Sequence, residues 1–227
     1  MITLHHCMSA RSFRVLWMLE ELGAPYVLKM LPFPPRAMQR EYLLLNPLGT
    51  VPQLFDGEVQ MTESAAICQY LAVRFAPTPL NVEPHEPGFG AYLNWLHFGE
   101  ATLTFPQTLV LRYGRFEPPA RRLPQVADDY GKWFIARLRT IEALLADQPY
   151  LCAGRFTAAD VSVGYALMLA EHLALAGRFG PAVAAYWERL RGREAFRKAL
   201  DVQHRSALEQ GVSTVPAPDT LPPGDPA

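Results

Sequence analysis

The first 31 residues constrain the fold most, because they contain two short apolar runs separated by one amphipathic segment. Residues 2–6 predict a strand, residues 11–22 a helix and residues 26–31 a second strand. Gly23 suits the left-handed backbone position that follows a helix. A strand, a helix and a strand in so short a span form a βαβ unit, which requires a parallel strand pair and a right-handed crossover.

The segment NPLGTVPQLFDGEVQMTESAAI, residues 46–67, predicts a β-hairpin. Val51 is expected to be extended, because the ring of Pro52 disfavours the α region for the residue before it. The QLF and VQM runs then flank Asp56-Gly57, a pair typical of tight turns between antiparallel strands.

A helix is expected from about residue 64 to 75, where apolar residues recur with helical spacing. Glu63 and Ser64 stand at its start, so an acidic side chain and a hydroxyl lie beside backbone amides that have no partner within the helix. A helix N-terminus of this kind favours a bound carboxylate.

The chain is expected to divide near residues 77–87, where four prolines form a stiff linker. Residues 1–78 alternate strand and helix signals and predict a small α/β domain with a mixed four-stranded sheet, and residues 88–207 predict helices only. The expected helices of the second part cover 89–113, 126–145, 179–191 and 193–206, with a capping box, Thr157 to Asp160, before the apolar run at 161–169. The Pro-rich tail, residues 208–227, predicts disorder.

Composition argues against several function classes. A net charge of −1 without a concentrated basic face argues against a nucleic-acid partner. Three scattered cysteines and six histidines lack the spacing of a disulfide framework or a metal site, so we expect a reducing, cytoplasmic environment and no metal. The N-terminus lacks a signal-peptide pattern and the most apolar stretch, residues 161–170, is stopped by Glu171, so no membrane association is expected.

The order of these parts resembles the cytosolic glutathione transferases, and within them a serine-type, bacterial-like member. The matching segments are SARSFRVLWMLEELGAPY at 9–26, NPLGTVPQL at 46–54, TESAAICQYL at 62–71 and the capping box at 157–160. The resemblance covers roughly residues 1–206 and implies a thioredoxin-like N-terminal domain followed by an all-helical C-terminal domain. It also implies a cytoplasmic homodimer that uses glutathione as co-substrate, requires no metal, and conjugates small apolar electrophiles in detoxification.

The same resemblance implies a glutathione site on the first domain. Val51 and Pro52 match the residue and the cis-proline that pair with the cysteinyl part of glutathione. Glu63 and Ser64 match the pair that holds the γ-glutamyl end. The glycyl carboxylate needs a cation or an amide, and three nearby side chains contend for it: Arg36, Gln39 and Arg40.

Ser9 matches the catalytic position of serine-type members, 14 residues before Gly23. Its hydroxyl would donate a hydrogen bond to the glutathione sulfur, because a free thiol with a pKa of about 8.5 is only about 3% ionised at pH 7. Lowering that pKa by about two requires about 2.7 kcal/mol. A hydrogen bond to a charged group supplies about 1.5 to 3 kcal/mol and a helix N-terminus about 0.3 to 1, with Arg11 as a further helper.

Four alternatives to this assignment stay open at the level of sequence. Ser9 can simply cap the first helix, and Ser12, three residues later, can cap it or donate to the sulfur instead. Cys7 lies in the same loop, two residues out of register with cysteine-type members, and would support thiol–disulfide exchange. A glutathione-binding or interaction module without turnover is the remaining hypothesis.

The electrophile is expected to lie against the helical domain. Five side chains are candidates for lining a mostly apolar pocket there: Phe98, Thr102, Phe105, Arg112 and Tyr113. Aromatic side chains at this helical spacing are more often packed between helices than exposed in a pocket, so the alternative is a structural role.

Overall fold

The computed structural model describes residues 1–220, and these form two compact units. The first unit comprises Met1–Asn81 and Arg191–Ala217, and the second comprises Val82–Leu190 with the described residues from Pro218 onward. The long segment of the first unit ends at Asn81. Residues 191–207, which the sequence interpretation placed in the second domain, belong to the first unit.

A mixed four-stranded sheet forms the centre of the first unit, in the order β2-β1-β3-β4. Its strands are β1 (Ile2–His6), β2 (Tyr26–Met30), β3 (Gln53–Asp56) and β4 (Val59–Met61). β1 pairs parallel with β2 and antiparallel with β3, so Leu4 lies beside both Leu28 and Leu54. The βαβ unit and the hairpin are confirmed, except that Asp56 belongs to β3 and the turn begins at Gly57.

Nine α-helices occur within residues 1–220. In chain order they are α1 (Phe13–Leu22), α2 (Pro35–Met38), α3 (Ser64–Arg74), α4 (Phe89–His97), α5 (Phe105–Leu111), α6 (Pro124–Leu145), α7 (Ala158–His172), α8 (Pro181–Arg191) and α9 (Glu194–Glu209). Gly23 ends α1 with a φ of 59°, as predicted. None of these helices is both long enough and apolar enough to cross a membrane.

The helix expected at 89–113 is interrupted. The turns between α4 and α5, Phe98–Thr104, are π-helical, and a second π-helical stretch, Arg112–Phe116, follows α5. The Thr104 hydroxyl donates to the Gly99 carbonyl at 2.7 Å, which spans one of these wider turns. Apolar periodicity does not report such a local change of pitch, which is why the sequence predicted one regular helix.

The capping box before α7 is confirmed and is part of a larger buried network. The Asp160 carboxylate accepts from the backbone N–H groups of Thr157 at 2.8 Å and Leu151 at 3.1 Å, and from the Tyr186 hydroxyl at 2.8 Å. Burial raises the pKa of Asp160 to about 6, and these donors oppose that rise. One acid therefore ties the start of α7 to the preceding loop and to α8.

The prediction of a disordered tail at 208–227 is wrong for residues 208–220, and residues 221–227 lie outside the described chain. Leu208 and Glu209 complete α9, and a short 3₁₀ turn follows at Ala217–Asp219. Ala217 is buried, and its N–H donates to the Met8 carbonyl at 2.7 Å. A proline-rich composition is typical of disordered segments, and composition alone does not show a contact such as the one with the N-terminal loop.

Replacing Asp160 tests the buried network. We expect Asp160→Ala to lower the free energy of unfolding by about 3 to 4 kcal/mol, since it strands several buried donors at once. Ser162→Ala in the same helix is the matched control and should cost only about 1 kcal/mol, because the buried Ser162 hydroxyl is uncharged and donates to the Leu96 carbonyl at 2.6 Å. Urea denaturation of both variants measures the difference, and equal losses would contradict this account.

Candidate functional site

Ser9 lies in the loop between β1 and α1 with a backbone conformation that residues other than glycine rarely adopt. Its φ is 52°, in the left-handed region, which costs an L-residue about 1 to 2 kcal/mol. The residue is 3% exposed. Within the loop, the Ala10 N–H donates to the Cys7 carbonyl at 3.1 Å. Because the Ser9 backbone is strained, contacts from outside the loop must help to hold it.

Gln203 of α9 provides such contacts. Its side-chain Oε1 accepts from the Ser9 backbone N–H at 2.9 Å, and its Nε2 donates to the Ser9 Oγ at 3.3 Å. The sequence interpretation missed this residue. A signal existed, because Gln203 is the one polar residue on the stripe that α9 buries, which also contains Phe196, Ala199 and Ala207.

His6 connects Gln203 to Ser12. The His6 Nε2 lies 2.9 Å from Gln203 Oε1, and its Nδ1 lies 2.7 Å from the Ser12 hydroxyl. Burial lowers the pKa of His6 to about 4, so the ring is neutral near pH 7. Because Gln203 Oε1 already faces the Ser9 N–H, it is an acceptor, so His6 carries its proton on Nε2 and Nδ1 accepts from Ser12.

These bonds separate the two serine candidates. Ser12 is fully buried and its hydroxyl proton goes to His6, and its side chain does not cap α1 although it occupies the N-cap position. Ser9 lies three residues before that position, so it is not the N-cap residue of α1. The bond from Gln203 uses a lone pair of the Ser9 oxygen and not its proton. Arg11, the proposed helper, is half-buried next to Ser12.

Cys7 has the environment of a packing residue. It is fully buried, with its sulfur 3.7 Å from the Pro32 carbonyl, and burial raises the pKa of its thiol far above the usual range. Burial also raises the pKa of Cys68 to about 12 and that of Cys152 to about 11. A nucleophilic cysteine requires the opposite shift, so this geometry does not favour thiol–disulfide exchange through Cys7.

The Val51-Pro52 peptide bond is cis, as the resemblance implied. Val51 packs, together with Phe33, against the apolar cluster that contains the two residues flanking Met8-Ser9: Cys7 and Ala10. The carbonyl of the preceding residue, Thr50, accepts from both the Tyr42 hydroxyl and the Asn46 side chain, each at 2.8 Å. The loop before the cis-proline is therefore fixed by two donors, Asn46 within the motif and Tyr42 four residues before it.

Glu63 and Ser64 stand at the start of α3, as predicted. Glu63 is exposed and makes no capping bond to the helix, whereas Ser64 is buried. Arg14, fully buried in α1, donates to the Ser64 Oγ at 3.1 Å and was not singled out from the sequence. That bond uses a lone pair of the Ser64 oxygen and not the hydroxyl proton. α1 thus connects the Ser9 loop to the start of α3.

The three candidates for the glycyl carboxylate lie at and after α2. Arg36 and Arg40 are exposed and Gln39 is half-buried. A glycine is required opposite Arg36, because Gly49 has a φ of 60° and an added Cβ would lie 2.6 Å from the Arg36 Cβ. The geometry brings Arg36 close to the cis-proline loop and does not choose among the three.

The five candidates for the electrophile pocket all lie in the second unit, and two of them line the same pocket. Phe98 and Thr102 line one open surface pocket of about 360 Å³, together with Leu93, Asn94, His97 and Ala101. Phe105 is 52% exposed and is not part of that lining. Arg112 pairs with Glu117 at 2.9 Å and lies 5.4 Å from the centre of the Tyr113 ring.

Comparison with known proteins gives the family. The family models described as glutathione S-transferase, N-terminal domain and C-terminal domain match residues 8–74 and 134–192. The chain is 32% identical over 174 residues to glutathione S-transferase 3 of Zea mays, covering 71% of this chain and 75% of that protein. The chain belongs to the glutathione S-transferase family. By family it is therefore a glutathione transferase enzyme.

Two further comparisons support the fold. Glutathione S-transferase 3 of Schizosaccharomyces pombe is 39% identical over 103 residues, which is 45% of this chain and 43% of that protein. Ure2p5 of Phanerochaete chrysosporium, crystallised with 1-(S-glutathionyl)-2,4-dinitrobenzene, has a TM-score of 0.78 at 22% identity and covers 92% of this chain and 96% of its own. The first unit is thus a thioredoxin-like domain and the second is the helical domain of this fold.

Thiol labelling tests the assignment of the cysteines to packing. We expect the native protein to react with iodoacetamide at pH 8 only as fast as it unfolds, because all three thiols are buried. The same reagent in concentrated denaturant should add three labels. Mass spectrometry of both samples measures the rates. Labelling of Cys7 in the native state at the rate of a free thiol would restore it as a reactive group.

Proposed function

We propose that this glutathione transferase is a serine-type enzyme that ionises the glutathione thiol through Ser9 and conjugates it to small apolar electrophiles. The observation that carries the proposal is the difference in environment among three side chains of one loop. Ser12 gives its proton to His6, Cys7 is buried with a raised thiol pKa, and the Ser9 hydroxyl lies in the same loop before the N-terminus of α1, held by a hydrogen bond from Gln203. Ser9 is therefore the best donor for the sulfur. The bacterial-like character expected from the sequence stays a prediction.

The chemistry proposed for Ser9 is stabilisation of a thiolate. The thiol proton passes to solvent, and the thiolate forms a carbon–sulfur bond while a halide or similar leaving group departs with its electron pair. Ser9 is 3% exposed, so a hydrogen bond made there is only weakly screened by water. Together with the N-terminus of α1, such a bond supplies the roughly 2.7 kcal/mol needed to lower the thiol pKa by about two.

For glutathione binding, we propose the arrangement implied by the family. The backbone of Val51, next to the cis-Pro52, pairs with the cysteinyl part. The exposed Glu63 carboxylate takes the γ-glutamyl ammonium, and the Ser64 hydroxyl with the first amides of α3 takes its carboxylate. Support comes from Arg14, which holds the Ser64 oxygen and leaves the proton to donate.

The electrophile, the assembly and the cellular role remain parts of the proposal. Phe98, Thr102, Phe105, Arg112 and Tyr113 stay the candidates for the apolar substrate, with Phe98 and Thr102 favoured because they share a pocket. A homodimer is supported by apolar surface on the first unit, where Leu44 is 88% and Leu48 63% exposed. A cytoplasmic role in detoxification follows from the resemblance alone.

Ser9→Ala is the direct test of the proposed function. We expect it to raise the pKa of bound glutathione by about one to two and to lower kcat about 10- to 100-fold near neutral pH, since one charge-assisted hydrogen bond is lost. Conjugation of glutathione to 1-chloro-2,4-dinitrobenzene across a pH series measures both. Cys7→Ala is the control from the same loop and should retain activity. The opposite pattern, with activity lost only in Cys7→Ala, would reverse the assignment.

Glu63→Gln tests the binding of the γ-glutamyl end. We expect KM for glutathione to rise about 10- to 100-fold with little change in kcat at saturation, because the substitution removes a charged partner of the ammonium but leaves Ser9 in place. The matched control is Glu58→Gln, an exposed acid in the hairpin turn of the same unit. Steady-state kinetics decide between them, and an equal effect of both substitutions would indicate general electrostatics instead of a site.

A further inference from the structure

We propose that Gln203 is a positioning residue for Ser9: from α9 it holds the strained loop backbone and directs the serine hydroxyl toward the glutathione sulfur. The inference rests on the proposed function, because it requires Ser9 to be the donor. Gln203 is 194 residues away from Ser9 in sequence and contacts both its backbone and its side chain. It does so from the part of the chain that the sequence assigned to the other domain.

The first step of the argument concerns the backbone of Ser9. Its φ of 52° is unfavourable for serine, and Gln203 Oε1 accepts the N–H of that same residue at 2.9 Å. A second contact from the end of the chain, the Ala217 N–H to the Met8 carbonyl at 2.7 Å, holds the preceding residue. The loop conformation that exposes the Ser9 oxygen to Gln203 is therefore stabilised from the C-terminal segment.

The second step concerns the orientation of the Gln203 amide. If the amide were flipped, its NH₂ group would face both the Ser9 N–H and the His6 Nε2 proton, which places donors against donors. The Ser9 N–H can only donate, so it fixes Oε1 as the atom that faces it, and the His6 proton then lies on Nε2 with Nδ1 accepting from Ser12. The chain Ser12 to His6 to Gln203 to Ser9 thus has one consistent set of proton positions, and that set makes Gln203 Nε2 a donor to Ser9 Oγ.

The third step concerns the Ser9 hydroxyl. A hydroxyl that accepts a hydrogen bond becomes a stronger donor through its own proton, because the two bonds polarise each other. The accepted bond also occupies one lone pair, so it limits the rotation of the hydroxyl. Both effects favour donation to a thiolate, and neither introduces a charge, since His6 is neutral and Gln203 cannot ionise.

Gln210 shows what a purely structural glutamine does in the same helix region. It accepts from the Met30 N–H at 2.9 Å and donates to the Leu28 carbonyl at 3.0 Å, so it joins the end of α9 to β2 through two backbone groups. Gln203 differs because its donor side reaches a side-chain hydroxyl in the candidate site. The two residues therefore form a matched pair for experiment.

The test compares Gln203→Met with Ser9→Ala and with the double variant. Methionine keeps the length of glutamine but makes neither bond to Ser9. We expect Gln203→Met to raise the pKa of bound glutathione by about 0.5 to 1, equivalent to about 3- to 10-fold less thiolate at neutral pH. KM for glutathione should stay within about twofold, because the γ-glutamyl contacts are untouched. The pH dependence of kcat and the ultraviolet absorbance of the bound thiolate measure the pKa independently.

The double variant decides whether Gln203 acts through Ser9. If it does, Ser9→Ala combined with Gln203→Met has the thiol pKa of Ser9→Ala alone, whereas independent effects would add. Additive pKa changes would overturn the proposal, as would a Gln203→Met enzyme with the wild-type thiol pKa. Failure of the proposed function is a different result, because in that case Ser9→Ala itself leaves the thiol pKa unchanged.

Two controls and one further variant separate positioning from stability. Gln210→Met removes a comparable pair of bonds from the same region, and Gln107→Met removes a fully buried glutamine from the second unit. Both should lower the thermal midpoint without moving the thiol pKa.

Gln203→Glu keeps the acceptor for the Ser9 N–H and the side-chain volume, but its second oxygen competes for the Ser9 proton. We expect it to raise the thiol pKa even if Gln203→Met does not fold, and a wild-type value would overturn the proposal.

Discussion

The packing of α9 on α1 is the contact on which the N-terminal unit depends. The Phe196 ring meets Phe13 and Trp17 edge to face, with ring centres 5.4 and 4.9 Å apart. Burying aromatic rings of this size contributes about 1.5 to 3 kcal/mol each, which is enough to fix the helix in place. Two partly exposed ion pairs accompany them, Arg193–Glu21 and Lys198–Glu20. With α9 fixed in this way, Gln203, two turns further on, lies against Ser9.

Much of the fold was predictable because its signals are local. The βαβ unit follows from short apolar runs and Gly23, the hairpin from turn residues between two short strands, and the capping box from four consecutive residues. The unit on which α9 packs was not predictable in this way. An amphipathic pattern indicates that a helix buries one face, but it does not indicate which unit covers that face. The same limit explains the tail, whose prolines concealed the contact made by Ala217.

The residues of the candidate site form two groups: those that a local sequence motif locates, and those whose roles depend on contacts between distant parts of the chain. Val51, Pro52, Glu63 and Ser64 could be located because each belongs to a short motif whose backbone geometry is set by its neighbours. The choice between Ser9 and Ser12 could not be made from sequence, because both hydroxyls lie in one loop, three residues apart. Their roles are set by a histidine on β1 and a glutamine on α9, which are close to the loop only in the folded chain.

The two side chains that hold Ser9 in place, His6 and Gln203, are both neutral. A protonated histidine behind the loop would stabilise a thiolate directly, but burial keeps His6 uncharged, so its proton only orients Gln203. Under the proposed function the thiol pKa depends on the Ser9 hydroxyl and the N-terminus of α1, both of which are dipoles of fixed direction, with Arg11 as the one charged helper proposed. Dipoles stabilise charge only where they point, whereas a full charge acts at a distance. The proposed site therefore depends on the orientation of Ser9, which the neutral pair His6 and Gln203 holds through hydrogen bonds to its backbone and its hydroxyl oxygen.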